Sequence, residues 1–457
     1  LHSLFNDNEE TMDEERIVKS ATGIRNTVVW KKLYKFQRDG VVGRAQGVVV
    51  LEVDLVLADG ERFVCVRQRV LQSWAEVLKS VPAEEAKQVD TLMPAALPLI
   101  EAAAKLSPSA QKLEHLMSSM PGAMRMTLFT ALMRLYETDA AKVEELLSPL
   151  PDLKPVLDSL RESGPRFELD ELCLITLKED QIAETEVICT SLLKRHVLPK
   201  MSPADDLVAF VKFGEHDDHA ALEVLQLASR SLLTISIQAT TAFEWTPDGR
   251  ALVFVTPVDG ESDTFIAIKR RTVLSDDGEL LTDAGDHFKV LANAAAAGSP
   301  ALKVLPDGRI LFAAQPVPLP FTGSEPKDEP RLFLLAADGG QLTTVPTAAG
   351  ALPTDLGHFA LSPDGKRIAL VEGGSDAVAL VDLESGGTQL ISSPHDGWKC
   401  RTLPAWRTAD EVVFAGVHDG KPLLLRWKDD LPVEHFGEEW VDSPKAAWLE
   451  APKKETP

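Results

Sequence analysis

None of the four cysteines (Cys65, Cys173, Cys189 and Cys400) falls in a Cys-x-x-Cys pair, so zinc-ribbon and thioredoxin-like chemistries lose their usual spacing. Four cysteines in 457 residues are too few to staple a disulfide scaffold. Positive charge is scarce: 47 Lys and Arg stand against 70 Asp and Glu, for a formal net charge of −23. Such a surface repels phosphate backbones and anionic headgroups, so nucleic acid is not an expected partner. A basic cluster near the start (Lys31, Lys32, Lys35, Arg38, Arg44) reads as solvated strand edges. Long apolar runs are missing as well; none approaches about 18 residues, so no transmembrane helix is expected in the chain as given. There is no Gly-x-Ser-x-Gly elbow, P-loop, dinucleotide fingerprint, Cys-x-x-Cys-His haem site or His-Glu-x-x-His helix. The sequence therefore nominates no catalytic, cofactor-binding or metal-binding residue, and the expectation is a protein that is not an enzyme.

What is present can build a core. Hydrophobic residues make up 44% of the chain, and the length suits two or three domains. Residues 1–22 are polar and acidic and read as a tail. Residues 23–165 read as an α+β domain, a small antiparallel sheet followed by a helical cluster. In the sheet, Val48–Leu57 and Arg62–Val70 flank Asp59-Gly60, a strong hairpin signal. In the helical part, Met124, Leu128, Ala131, Leu132 and Leu135 recur at helical spacing, as do apolar positions in Gln111–Met117. Ser107-Pro108 and Ser148-Pro149 resemble a cap followed by proline at the first helical position. The methionines here (Met117, Met120, Met124, Met126, Met133) read as core filling rather than a partner surface. Glu162-Ser163-Gly164-Pro165 reads as a boundary. Residues 166–450 then form a repeat domain, with 451–457 a tail.

That domain carries copies of one unit. Trp245-Thr246-Pro247-Asp248-Gly249-Arg250, Leu305-Pro306-Asp307-Gly308-Arg309 and Leu361-Ser362-Pro363-Asp364-Gly365-Lys366 each lead into an apolar strand. Met201-Ser202-Pro203-Ala204-Asp205-Asp206 and Trp406-Arg407-Thr408-Ala409-Asp410 are copies that lack the glycine. Proline presets the turn, Asp bonds nearby amides and Gly accepts positive φ. A second strand follows each copy, at Ala221–Leu227, Thr264–Lys269, Arg331–Leu335, Ala377–Val381 and Pro422–Trp427. The prolines at 203, 247, 306 and 363 give one interval of blade length and two longer ones, which imply insertions over Leu274–Leu291 and Gln315–Pro330.

The unit resembles the TolB-type (WD40-like) β-propeller repeat, over roughly the last half of the chain. The resemblance implies a mainly β fold with a C-terminal propeller, read as six-bladed. A sixth blade would combine the Leu172–Leu193 hairpin with a strand from Glu434–Leu449, so closing the ring. The resemblance also implies a bacterial protein in a periplasmic or otherwise extracytoplasmic setting, with a cytoplasmic one open.

Individual motifs do not sharpen the function. His216-Asp217-Asp218-His219 is metal-capable but sits where a hairpin turn is expected, and His395-Asp396-Gly397 and His418-Asp419-Gly420 also fall in turns. A hairpin centred on Gln181 would bring Cys173 and Cys189 opposite each other, as a disulfide or as two buried apolar cysteines. Trp245, Trp398, Trp406, Trp427, Trp440 and Trp448 fit packing between blades or a partner surface. The resulting expectation is a non-enzymatic scaffold for protein partners, within a larger, membrane-associated assembly. The alternative is a propeller lyase or glycosidase with its site over the central channel.

Overall fold

The computed structural model describes residues 48–56, 62–91, 98, 122–148, 154–178, 181–204, 206–213, 220–239, 242–258, 265–282, 285–294, 301–315, 331–347, 359–372, 377–392, 398–400, 404–418, 421–429 and 433–435. The fold is mainly β. β1 (Val48–Val56) and β2 (Arg62–Leu71) come first. Helices α1 (Trp74–Ser80), α2 (83–91), α3 (Gly122–Thr138), α4 (Ala140–Leu147) and α5 (Lys154–Ser163) follow. Then come β3 (Phe167–Lys178) and β4 (Gln181–Ser191). These four strands form one antiparallel sheet, in the order β1-β2-β3-β4. β2 pairs with β3 along its whole length, from Arg62↔Thr176 to Leu71↔Phe167.

This pairing bears on two expectations. The strands on either side of Glu162–Pro165 belong to a single sheet, so the helices lie within it as an excursion between β2 and β3. The Leu172–Leu193 hairpin pairs with β2, and β25 (Glu434–His435) pairs with β24 (Lys421–Lys428); the rest of the strand expected from 434–449 lies outside the described residues. The cause is burial. Val64 and Val66 put their apolar face with Leu172 and Leu174, and all four are buried together.

The helices fold on local signals and then pack as a group. Ser73 caps α1 by accepting from Glu76 N, and Asp139 caps α4 by accepting from Lys142 N. The N-terminal amide of α1, at Trp74, also donates to the Glu137 carboxylate of α3. The helical reading of Met124–Leu135 matches α3, whereas Gln111–Met117 lies outside the described residues. Ser148 caps the end of α4, and Pro149, like Ser107-Pro108, lies outside the described residues. Met133, Leu135, Val143, Leu147, Leu157 and Leu160 bury against Trp74, Val77, Phe167 and Leu169, which ties the cluster to the start of β3. Glu85 of α2 adds a polar tie: it accepts from Ser191 Oγ at 2.8 Å and from Leu192 N at 2.6 Å, just beyond β4.

The second sheet is β5 (Arg195–Met201), β6 (Leu207–Phe213), β7 (Ala220–Gln226) and β8 (Leu232–Ala239). The next unit is β9 (Phe243–Trp245), β10 (Ala251–Pro257), β11 (Phe265–Thr272) and β12 (Asp286–Ala294). It is followed by β13 (Leu302–Val304), β14 (Ile310–Gln315), β15 (Arg331–Leu335) and β16 (Leu342–Thr344). A short bridge from Asn293 and Ala294 to Gln315 and Ala314 fuses these two units into one eight-stranded sheet. β17 (Ala360–Leu361), β18 (Arg367–Glu372), β19 (Ala377–Asp382) and β20 (Thr388–Ser392) form another sheet. The last contains β21 (Trp398–Cys400), β22 (Ala405–Thr408), β23 (Glu411–His418), β24 and β25. In each unit from β5 onward, the strand after the repeat turn pairs with the second strand read from the sequence, as in β10–β11 and β18–β19.

The turns use their residues as the repeat requires. Thr246 Oγ1 and Ser362 Oγ donate to Asp248 and Asp364, which also accept from the backbone of Arg250 and Lys366. Gly365 has φ +70°, and an added Cβ would sit 2.5 Å from Cδ of Pro306, in the turn of the preceding unit. Glycine is thus demanded both by the backbone and by the neighbour. Consecutive units pack face to face. Val66, Leu172, Met201 and Phe210 join the first two; Val211, Leu222, Trp245 and Phe254 join the next pair. The series continues through Val255 with Phe312, Leu311 with Ile368, and Leu380 with Phe414. This succession is what the repeat predicts for neighbouring propeller blades.

Candidate functional site

The first strands of successive units run beside one another: β1 beside β5, β9 beside β13, and β17 beside β22. Three charged residues meet on them. Glu244 of β9 takes Lys200 of β5 at 2.9 Å and also pairs with Lys303 of β13. Lys200 Nζ further donates to Phe243 O at 2.7 Å. Burial by itself raises the Glu244 pKa, but the two ammonium charges outweigh it and hold the carboxyl at about 2. The cluster is a fixed ionic tie between three units.

Tryptophans make a second recurrent tie. Trp245 Nε1 donates to Lys200 O and Trp406 Nε1 to Ala360 O, each at 3.0 Å. In both cases the acceptor lies three residues before the proline of the preceding unit's turn. Arg367 stacks over Trp406 and Trp427 and pairs with Asp429 at 2.8 Å. These tryptophans are therefore committed to packing between units. Trp440 and Trp448 lie outside the described residues.

The fourth strands present the opposite character. Val187 on β4, Leu232 and Ile237 on β8, Leu342 on β16 and Leu390 on β20 are all exposed, Ile237 to 73%. β4, β8, β16 and β20 each stand at the end of a strand order, bonded along one side only among the described residues. Apolar side chains on unpaired edges are a known interaction liability.

A third feature lies where β3, β4 and β5 meet. His196, at the start of β5, is buried. Its Nδ1 lies 2.7 Å from Asp170 Oδ1 on β3, and its Nε2 lies 3.5 Å from Cys189 Sγ on β4. Asp170 Oδ1 also accepts from the His196 backbone N at 2.9 Å, and Arg195 stands 3.6 Å from Oδ2. Burial alone would lower the His196 pKa, yet the bonds to Asp170 and Cys189 prevail and raise it to about 9. The ring packs edge-on against Phe210 of β6. Sequence reasoning singled out Cys189 but missed Asp170 and His196. They are 26 residues apart and follow no motif spacing.

The cysteine pair expected from the hairpin does not form. A register shift between Leu172 and Cys173 places Cys189 opposite Leu172 and Cys173 opposite Val187, and no bridge joins the two sulfurs. Cys173 is fully buried, while Cys189 is half-buried. His216–His219 and His395–Gly397 lie outside the described residues, as do Asp419 and Gly420. His418 closes β23, opposite Lys421. Among the described residues no group of three or more His, Cys, Asp or Glu is placed to hold a metal ion, and no helix is long and apolar enough to cross a membrane.

No protein-family model matches the chain, and no curated protein does. Solved structures similar to it include TolB from Acinetobacter baumannii, at 18% identity over 57% of this chain and 57% of that one, with a TM-score of 0.38. The chain thus spans little more than half of that TolB's length. The β-propeller domain of the trilobed protease from Pyrococcus furiosus is similar at 14% identity, over 59% of this chain and 78% of that one, with a TM-score of 0.40. An oligogalacturonate lyase in complex with manganese is similar at 14% identity over 58% and 70%, with a TM-score of 0.40. These likenesses concern fold alone.

Proposed function

We propose that the chain is a non-enzymatic β-propeller scaffold that holds a protein partner on its outer rim. The units count as six blades, with β1–β4 the first and helices α1–α5 inserted within it. The observation that carries the reading is the recurrence of exposed apolar side chains on fourth strands that have one free edge among the described residues, with Ile237 the most exposed. An extended partner segment can add to such an edge and seat its side chains on Leu232 and Ile237. A formal net charge of −23 selects a basic or polar segment. The TolB-like resemblance suggests an extracytoplasmic setting within a membrane-associated assembly.

The lyase or glycosidase reading draws less support. Glu244 is held as a carboxylate between two ammonium groups, which unfits it for the general-acid role such a reaction needs and ties up its charge. The test is affinity purification of the full chain from its source, with cross-linking and mass spectrometry. Cross-links to β8 or β20 are expected. Ile237→Lys should leave folding stability within about 0.5 kcal/mol but cut partner recovery by about tenfold, the effect of one lost anchor. Recovery of no reproducible partner, or cross-links confined to other surfaces, would refute the proposal.

A further inference from the structure

We propose that Cys189 is an activated thiol, a site of oxidative modification by small hydroperoxides, with His196 as its proton and charge partner and Asp170 holding the ring. Cys189 shares β4 with one of the rim residues, Val187, but its activation does not rest on the rim reading. Three observations converge on this thiol.

First, the two imidazole nitrogens face Asp170 Oδ1 at 2.7 Å and Cys189 Sγ at 3.5 Å, a sulfur that donates as a thiol and accepts as a thiolate. A ring carrying two N–H groups satisfies both, and a thiolate is the better acceptor for the second. The raised pKa of His196 agrees with that state near neutral pH. Second, the ring cannot turn away. Asp170 grips both its Nδ1 and the backbone N of the same residue, Phe210 packs on its edge, and Arg195, itself paired with Glu168 at 3.0 Å, stands beside Asp170. A base oriented by a third group is the arrangement that activates nucleophilic thiols. Third, Cys189 as a residue is half-buried, at the margin of the apolar cluster that contains Leu172, Met201 and Phe210. That position admits a small oxidant more readily than a macromolecule.

The step balances. The Cys189 thiolate attacks one oxygen of the hydroperoxide, forming the S–O bond as the O–O bond breaks. The leaving hydroxide or alkoxide takes the proton from His196 Nε2 and departs as water or alcohol. Sulfur is oxidised by two electrons and the peroxide is reduced, with no further proton required. Cys173 sits on the opposite face of β3 from Leu172 and is fully buried, so it does not resolve the product, which stops at sulfenic acid.

The test uses the purified full chain at pH 7, with iodoacetamide as probe and peptide mass spectrometry as readout. An imidazole held against the sulfur by a third group activates it, so Cys189 should alkylate about tenfold faster than glutathione, a thiol with no such partner. Fully buried Cys173 reports unfolding if it becomes labelled. His196→Gln should slow Cys189 by about fivefold while Cys173 stays protected. One equivalent of hydrogen peroxide followed by dimedone should tag Cys189. A rate no faster than glutathione, a rate unchanged in folded His196→Gln, or no dimedone adduct would each overturn the proposal. If His196→Gln unfolds, Asp170→Asn replaces it, and the wild-type ratio to glutathione still decides.

Discussion

Replacing Glu244 with glutamine removes the carboxylate that Lys200 and Lys303 share, while keeping its shape. Burial and the two ammonium charges together leave its folded pKa at about 2, against 4.5 for a free glutamate. At about 1.4 kcal/mol per unit, the shift corresponds to about 3 kcal/mol of stability at neutral pH. The folded pKa is depressed, so this contribution is complete above pH 4.5 and is lost as pH falls toward 2. About 2 kcal/mol of it should disappear between pH 7 and pH 3. Urea unfolding of wild type and Glu244→Gln at both pH values is the assay. At pH 7 the variant should be less stable by about 3 kcal/mol, because two partly buried ammonium groups lose their counter-charge. At pH 3 the gap should shrink to about 1 kcal/mol. An equal gap at both pH values would show that Glu244 is not the ionised centre of the cluster.

Two further substitutions probe how the units and the helices are joined. Gly365→Ala should cost about 2 kcal/mol more than Gly164→Ala. Both glycines have positive φ, but only at Gly365 would the new Cβ meet a proline ring, whereas nothing lies within 4 Å at Gly164. Thermal melting of the two variants checks the difference. Glu85→Ala should cost about 3 kcal/mol, because the buried amide of Leu192 and the Ser191 hydroxyl lose a charged acceptor. Faster proteolytic cleavage within α1–α5 than within β5–β24 would accompany it, and uniform cleavage would argue against Glu85 as the tie.

The parts legible in the sequence were those with local causes. The Pro-Asp-Gly turns announce themselves because proline, aspartate and glycine each meet a need of their own backbone. The strands that follow them are bounded by those turns, and Arg331–Leu335 was read to the residue. The partner of β2 was not legible. Val64 and Val66 declare an apolar face but not what covers it, and the strand that does so begins at Phe167, beyond all five helices. The relay at His196 was hidden for the same reason. Asp170, Cys189 and His196 come from three strands, and only the bulge at Leu172–Cys173 sets the register that brings Cys189 onto the face of Leu172. Even there the turn aspartates behaved as the sequence implied. Burial opposes the charge of Asp364 more than any single partner favours it, but Ser362, the Lys366 amide and the nearby Lys366 and Arg367 charges together hold its carboxyl below the usual range, so its charge is occupied with the turn.

The first sheet has a consequence for how the molecule could be taken apart. Its two halves come from separate stretches of chain, joined covalently only through the helices. A cut between α2 and α3 would leave one fragment ending in β1, β2 and two helices, and another carrying the remaining units. The ten β2–β3 residue pairs and the buried Val64–Leu172 contacts would still hold the fragments together. The topology thus builds in a natural split point, where two separately produced pieces can reconstitute one protein by completing a shared sheet.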